Sequence, residues 1–205
     1  MSKLDLDRMD DMHYDVLREI GNIGAGNATT ALSQLINKRI DMKVPKVELL
    51  SFNELSEIVG GAENLVVGIL LTLEGEINGM MMFMLETKSA HNLVNLLMGK
   101  SIENFDDFDE MDRSALQEIG NIISGAYLYS LSSLTNLMIK QSVPYMSIDM
   151  AGAILSVPAI EFGKVGDKAL LIQSQFGEEA INVDGYFILI PTIESYDVIL
   201  SSLGM

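Results

Sequence analysis

DVLREIGN, residues 15–22, recurs as SALQEIGN at residues 114–121. In both, a Glu stands three residues before an Asn, and an Asp or Ser stands four residues before the Glu. Each Asn is then followed, after 22 intervening residues, by a proline: Pro45 after Asn22 and Pro144 after Asn121. Two copies in one register require a common cause.

A helix advances about 100° per residue. At that pitch Asp15, Glu19 and Asn22 lie within roughly 60° of one another on one stripe. Val16, Leu17, Ile20 and Ile23 lie on the other side, as do Ala115, Leu116, Ile119 and Ile122 in the second copy. The pattern predicts a buried apolar face and an acid-plus-amide stripe facing outward. Gly21 and Gly120 precede the two Asn residues, and Gly26 and Gly125 lie one turn on. Glycine within a helix costs about 1 kcal/mol relative to alanine. Its repetition at matched places indicates close approach to the backbone, either by a partner or by a neighbouring helix.

The 205 residues suffice for a sizeable core in one domain or two closely packed halves. The chain is 48% hydrophobic and 20% charged, with a net charge of −16. That balance argues against nucleic acid and anionic membranes, which require Lys/Arg patches. The absence of cysteine excludes disulfides, a thiolate nucleophile and zinc–thiolate sites. MSKLDLDRMDDMHYD at the N-terminus is acidic and has no apolar signal core. The longest apolar run, 65–73, is too short to span a bilayer. A cytoplasmic protein without membrane insertion is expected. The 14 methionines fit an adaptable core.

Along the chain, a first long helix is expected from about Leu6–Asp10 to Asn37, with an acidic start suited to the helix dipole. Residues 39–52 read as a strand that Pro45 makes bulged or peripheral. A short helix over 53–59 ends at Gly60-Gly61, and runs 64–74 and 77–85 form a hairpin. A helix over 89–98 closes at Gly99, 100–109 is an acidic linker, and Asp109 opens a second long helix reaching about Asn136. Residues 137–149 are extended, 169–176 and 182–190 form another hairpin, and a last helix over 196–203 ends at Gly204. Gly26 and Gly125, Leu32 and Leu131, and Leu35 and Leu134 are each separated by the same interval. The chain is therefore a single domain (1–205) made of two repeats, about 7–99 and 109–204. The predicted fold is α/β: a pseudo-twofold, six-stranded, mostly antiparallel sheet, three strands from each half, with the two long helices on one face.

A carboxylate and a carboxamide one turn apart are not a complete active site. An exposed carboxylate is ionised at neutral pH and has here no neighbouring His or Lys to tune it. An amide is no base, but its donor and acceptor can hold a water, the part played by a Gln in small GTPases. The stripe makes chemical sense if the remainder of the site arrives on another molecule.

The pattern Asp/Ser-x-x-x-Glu-x-x-Asn, then 22 residues, then Pro, resembles the signature of the CheC/CheX/FliY phosphatases of bacterial and archaeal chemotaxis. Both copies match in full, and the similarity extends over essentially the whole chain. Two motifs resemble the CheC branch; the CheX branch is expected to carry one. The FliY branch is expected to add a regulator-binding N-terminal peptide and a motor-switch domain, which are not expected here. The resemblance implies a CheC-like fold and a substrate, the phospho-aspartate of the CheY response regulator. CheY's own Mg²⁺ and lysine would do part of the chemistry, and no cofactor or metal would be bound by this chain. Asn22 and Asn121 would orient the attacking water, and Glu19 and Glu118 would pair with the regulator's lysine. Asp15 and Ser114 would add partner contacts, Gly21 and Gly120 would make room for the regulator's loops, and the prolines would shape the chain after each helix. A second implied partner is the receptor deamidase CheD, and an alternative reading makes CheD inhibition or sequestration the main output. A flagellar-switch domain is a third reading, though such domains are not expected to keep both stripes. The internal duplication suggests a monomer.

Other patterns carry less. Gly21, Gly24 and Gly26 have the wrong spacing for a dinucleotide loop and follow no strand. His13 and His91 are isolated and read as solvated or packed. The acidic run 5–15 lacks the glycine and alternating ligands of a calcium loop. Glu19 and Glu118 could be imagined as a hydrolase pair, but pseudo-twofold halves keep them apart.

Overall fold

The computed structural model describes residues 11–36, 41–101, 107–162, 168–178 and 181–204. Its elements run α1 (Asp11–Ile36), β1 (Asp41–Ser51), α2 (Phe52–Ile58), β2 (Leu65–Gly75), β3 (Gly79–Glu86), α3 (Thr87–Met98) and α4 (Glu110–Thr135). There follow β4 (Ile139–Gln141), β5 (Tyr145–Met150), α5 (Ala151–Phe162), β6 (Lys168–Glu178), β7 (Ile181–Pro191) and α6 (Ile193–Ser202). The expected start and end of the first helix, and most of the expected linker, lie outside the described residues.

All strands join one antiparallel sheet in the order β1-β6-β7-β3-β2-β4, with β5 also on β2. The two hairpins meet at its centre, where Phe83 of β3 lies opposite Phe187 of β7. The outer strands cross over: β1, from the first half, pairs with β6 of the second, and β4 and β5, from the second half, pair with β2 of the first. Three strands per half is thus the right count with one amendment. The sheet has seven strands rather than the expected six, because the segment after α4 is broken in two. Pro144 stands at that break and has no N–H for the ladder. Pro45 does the equivalent in β1, an edge strand whose register shifts between Lys43 and Lys46.

β3 is buried along nearly its full length. Met81, Phe83 and Leu85 face one core, and Met80, Met82 and Met84 face the other, the alternation a strand imposes. The first core lies under α1 and α4 with α3 and Ile199 of α6; the second lies under α2 and α5. Helix α5 is absent from the sequence-based expectation. Its segment AGAILSVPAIEF is apolar nearly all round and contains Pro158, so it shows neither a 3.6-residue stripe nor an uninterrupted run.

The long helices α1 and α4 pack side by side. Tyr127 of α4 is buried and stacks on Phe187 with centroids 4.3 Å apart. A Cβ at Gly24 of α1 would stand 2.5 Å from that tyrosine ring. Glycine at 24 therefore admits the aromatic ring between helix and sheet. Gly21 and Gly120 are buried too. A Cβ on Gly21 would meet Ile172 at 3.3 Å and Val44 at 3.4 Å, and one on Gly120 would meet Ile69 at 2.6 Å. The space a Cβ would take at these two glycines is filled by the sheet rather than left open to a partner's loops.

The start of α4 is firmly held. Asp109 is the N-cap in a reciprocal capping box with Asp112, and Lys100, just after α3, pairs with both carboxylates. The backbone N–H of Asp112, with help from Lys100, holds the Asp109 carboxyl below the usual carboxylate range. Hydrogen bonding to Asp112 raises the Lys100 ammonium above its usual value.

Two stability predictions follow from this packing. Gly24→Ala is expected to destabilise by about 1–3 kcal/mol through overpacking, whereas Gly26→Ala, with open space around its Cβ, stabilises by about 0.5–1 kcal/mol; urea unfolding measures both. Because the Asp109 pKa is lowered on folding, its contribution is full above the unfolded carboxylate pKa and is lost as pH falls through the folded value. Asp109→Ala should therefore lower Tm at pH 7, with the deficit shrinking toward pH 3, while Asp109→Asn, which still caps, retains more of the neutral-pH stability.

Candidate functional site

The apolar positions of both motifs bind their helices to the sheet: Leu17, Ile20, Leu116 and Ile119 are buried, and Val16, Ile23, Ala115 and Ile122 are half-buried. That orientation turns Glu19 and Asn22 outward from α1, and Glu118 and Asn121 outward from α4. Glu19, Asn22 and Glu118 are exposed; Asn121 is half-buried. All four candidate catalytic residues thus reach the surface layer, one Glu/Asn pair on each long helix.

The two stripes differ in their surroundings. On α1, Asp15 is exposed and its Oδ1 accepts from Arg18 at 2.8 Å. Asn22 has no hydrogen-bond partner among the described residues. On α4, Ser114 is exposed, and Glu118 and Asn121 line an open groove of about 490 Å³ with Gln117, Gln141, Ser142, Val143 and Pro144. The groove exists because the chain after α4 stays beside the helix: Gln117 Nε2 donates to the Pro144 carbonyl at 2.8 Å, and Gln141 Nε2 donates to Asn121 Oδ1 at 2.9 Å. The second oxygen lone pair and the Nδ2 hydrogens of Asn121 are left for a water or ligand.

Gln141 was not singled out by the sequence reading. No local pattern marks it, and its counterpart one repeat earlier is Met42. The comparison of the two copies contained the signal, as an amide standing where the other half has a thioether. The Gln141 Oε1 atom has no protein hydrogen-bond partner among the described residues.

No group of three or more His, Asp or Glu side chains with metal-holding geometry occurs among the described residues. His91 is buried and stacks on Phe108 at 4.0 Å. No helix among the described residues is long and apolar enough to cross a membrane. The carboxylates and carboxamides of the two stripes can hold a water or a cation of a visiting molecule.

The CheC-like family matches residues 12–49, and the family described as chemotaxis phosphatase CheX matches residues 67–160. The chain is 38% identical over 194 residues to the Bacillus subtilis protein named CheY-P phosphatase CheC, covering 93% of each. It belongs to the CheC-like family. A second CheC-like relative, the putative CheY-P phosphatase CheC1 of Halobacterium salinarum, is 21% identical over 95% of this chain and 98% of its own. Among solved structures, Thermotoga maritima FliY superposes with a TM-score of 0.76 at 22% identity, covering 96% of this chain and 98% of that one, which establishes the shared CheC-like fold.

Asp15 and Arg18 form an exposed pair, with side chains 70% and 51% accessible. Such pairs contribute little. Asp15→Ala is expected to change unfolding free energy by no more than about 0.5 kcal/mol, measured in urea, so any larger loss of function in that variant reports contact with a partner rather than folding.

Proposed function

We propose that this chain is a phosphatase of the phosphorylated CheY response regulator. The observation that carries the reading is the pair of outward-facing Glu/Asn stripes on two rigid, neighbouring helices, each chemically incomplete alone. Membership of the CheC-like family, and the name of its Bacillus subtilis relative, support the same substrate.

The substrate is an acyl phosphate on a regulator aspartate. Asn22 or Asn121 enters the regulator's site and holds a water through its carboxamide, in line with the bond to be broken. The water oxygen forms the new bond to phosphorus, the bond from phosphorus to the aspartyl oxygen breaks, and the aspartate leaves as a carboxylate while inorganic phosphate carries away the water's protons. Glu19 or Glu118 pairs with the regulator's lysine and sets the register of docking. Mg²⁺ is supplied on the regulator and neutralises phosphoryl charge there. This chain contributes position and hydrogen bonds, the main levers in phosphoryl transfer. CheD is a second partner we assign on family membership; complex formation with purified CheD tests it separately from turnover.

In the double variant Asn22→Ala, Asn121→Ala, decay of phosphorylated CheY is expected to fall to the regulator's own rate, with circular dichroism and Tm unchanged. Acceleration retained in a folded double variant would overturn the assigned roles. Each single variant should retain partial activity, measured by phosphate release under identical conditions.

A further inference from the structure

We infer that Gln141 is a positioning residue for the Asn121 site, and that its absence from the other half makes the two sites unequal. The inference rests on the proposed reading of Asn121 as the group that holds the attacking water.

A side-chain carboxamide rotates readily about its last torsion, and each edge presents different hydrogen-bond chemistry. An asparagine that must hold a water in line gains from having that torsion settled before the substrate arrives. Gln141 can settle it. Its Nε2 donates to Asn121 Oδ1, so the carboxamide edge turned toward the strand is specified.

The donor is itself mounted on a fixed support. Gln141 closes β4 and pairs with Leu73 of β2. The next residue, Ser142, bridges to Thr72 twice: the Ser142 N–H donates to the Thr72 carbonyl, and the Thr72 N–H donates to Ser142 Oγ, both at 3.0 Å.

On α1 no such donor to Asn22 occurs among the described residues. The counterpart of Gln141 is Met42, whose thioether has no hydrogen to donate. Asn22, exposed and without a hydrogen-bond partner among the described residues, must be oriented by the visiting regulator itself.

The test uses the full chain. Asn22→Ala confines turnover of phosphorylated CheY to the α4 site, and Gln141→Met is then added, importing the residue of the other half. The expected result is a kcat lowered roughly three- to tenfold with KM and Tm unchanged. The reciprocal graft, Met42→Gln in an Asn121→Ala background, is expected to raise kcat at the α1 site, a gain that no loss of folding can mimic. Unchanged kcat in both grafts, or a fall in Tm that accounts for the loss in the first without a gain in the second, overturns the positioning role while leaving the phosphatase reading intact. If the unmutated chain fails to accelerate CheY dephosphorylation, the phosphatase reading itself falls and the positioning role falls with it.

Discussion

The ring of Tyr127 sits at the junction of three elements. It stacks on Phe187 in the central strand β7 and occupies the space that Gly24 leaves open in α1. Through that contact the two long helices are set against each other and against the middle of the sheet at once. Displacing a ring enclosed in this way would forfeit close-packed contacts on both sides. The spacing of α1 and α4, and with it the outward aim of both Glu/Asn stripes, is set by this packing. Under the proposed function this fixed spacing matters, because hydrogen-bond geometry tolerates errors of only a fraction of an ångström.

The surface presented to a partner is not two copies of one thing. On α4 the stripe is bordered by the broken strand β4–β5, which supplies Gln141 and the Pro144 carbonyl as struts to the helix. On α1 the chain after the helix continues as β1, bulged near Pro45 at the opposite edge of the sheet. The same proline thus has different consequences in the two halves. In one it merely shifts a register; in the other it divides a strand and opens a groove beside the helix. Local asymmetry grows from an element common to both repeats.

Much of this was legible in the sequence, because the relevant signals were periodic. The 3.6-residue spacing of Leu116 and Ile119 against Glu118 and Asn121 specifies which face is buried, and the structure follows it. Pro45 announced an edge or a bulge, and β1 has both. The capping residue Asp109 marked the start of α4 correctly. What escaped notice has physical reasons. Helix α5 is apolar on all sides and so lacks periodicity to detect. The exchange of outer strands depends on long-range pairing, which no local pattern encodes. Gly21 and Gly120 were legible as sites of close approach, but not as to what approaches, and it is the sheet. Gln141 depends on a contact across 20 positions of chain, visible only once β4 has been laid beside α4.

The crossing of the outer strands bears on how such a molecule diversifies. Neither half encloses its own hydrophobic interior, since each lends its edge strand to the other's hairpin. A free half would need a second identical copy, would assemble only above some threshold of abundance, and would show the same chemistry on both sides of the axis. Covalent fusion removes the dependence on abundance. It also lifts the obligation of sameness: a methionine at one position and a glutamine at its twin can coexist in one particle. Tandem arrangement, in this light, is what lets the two faces differ.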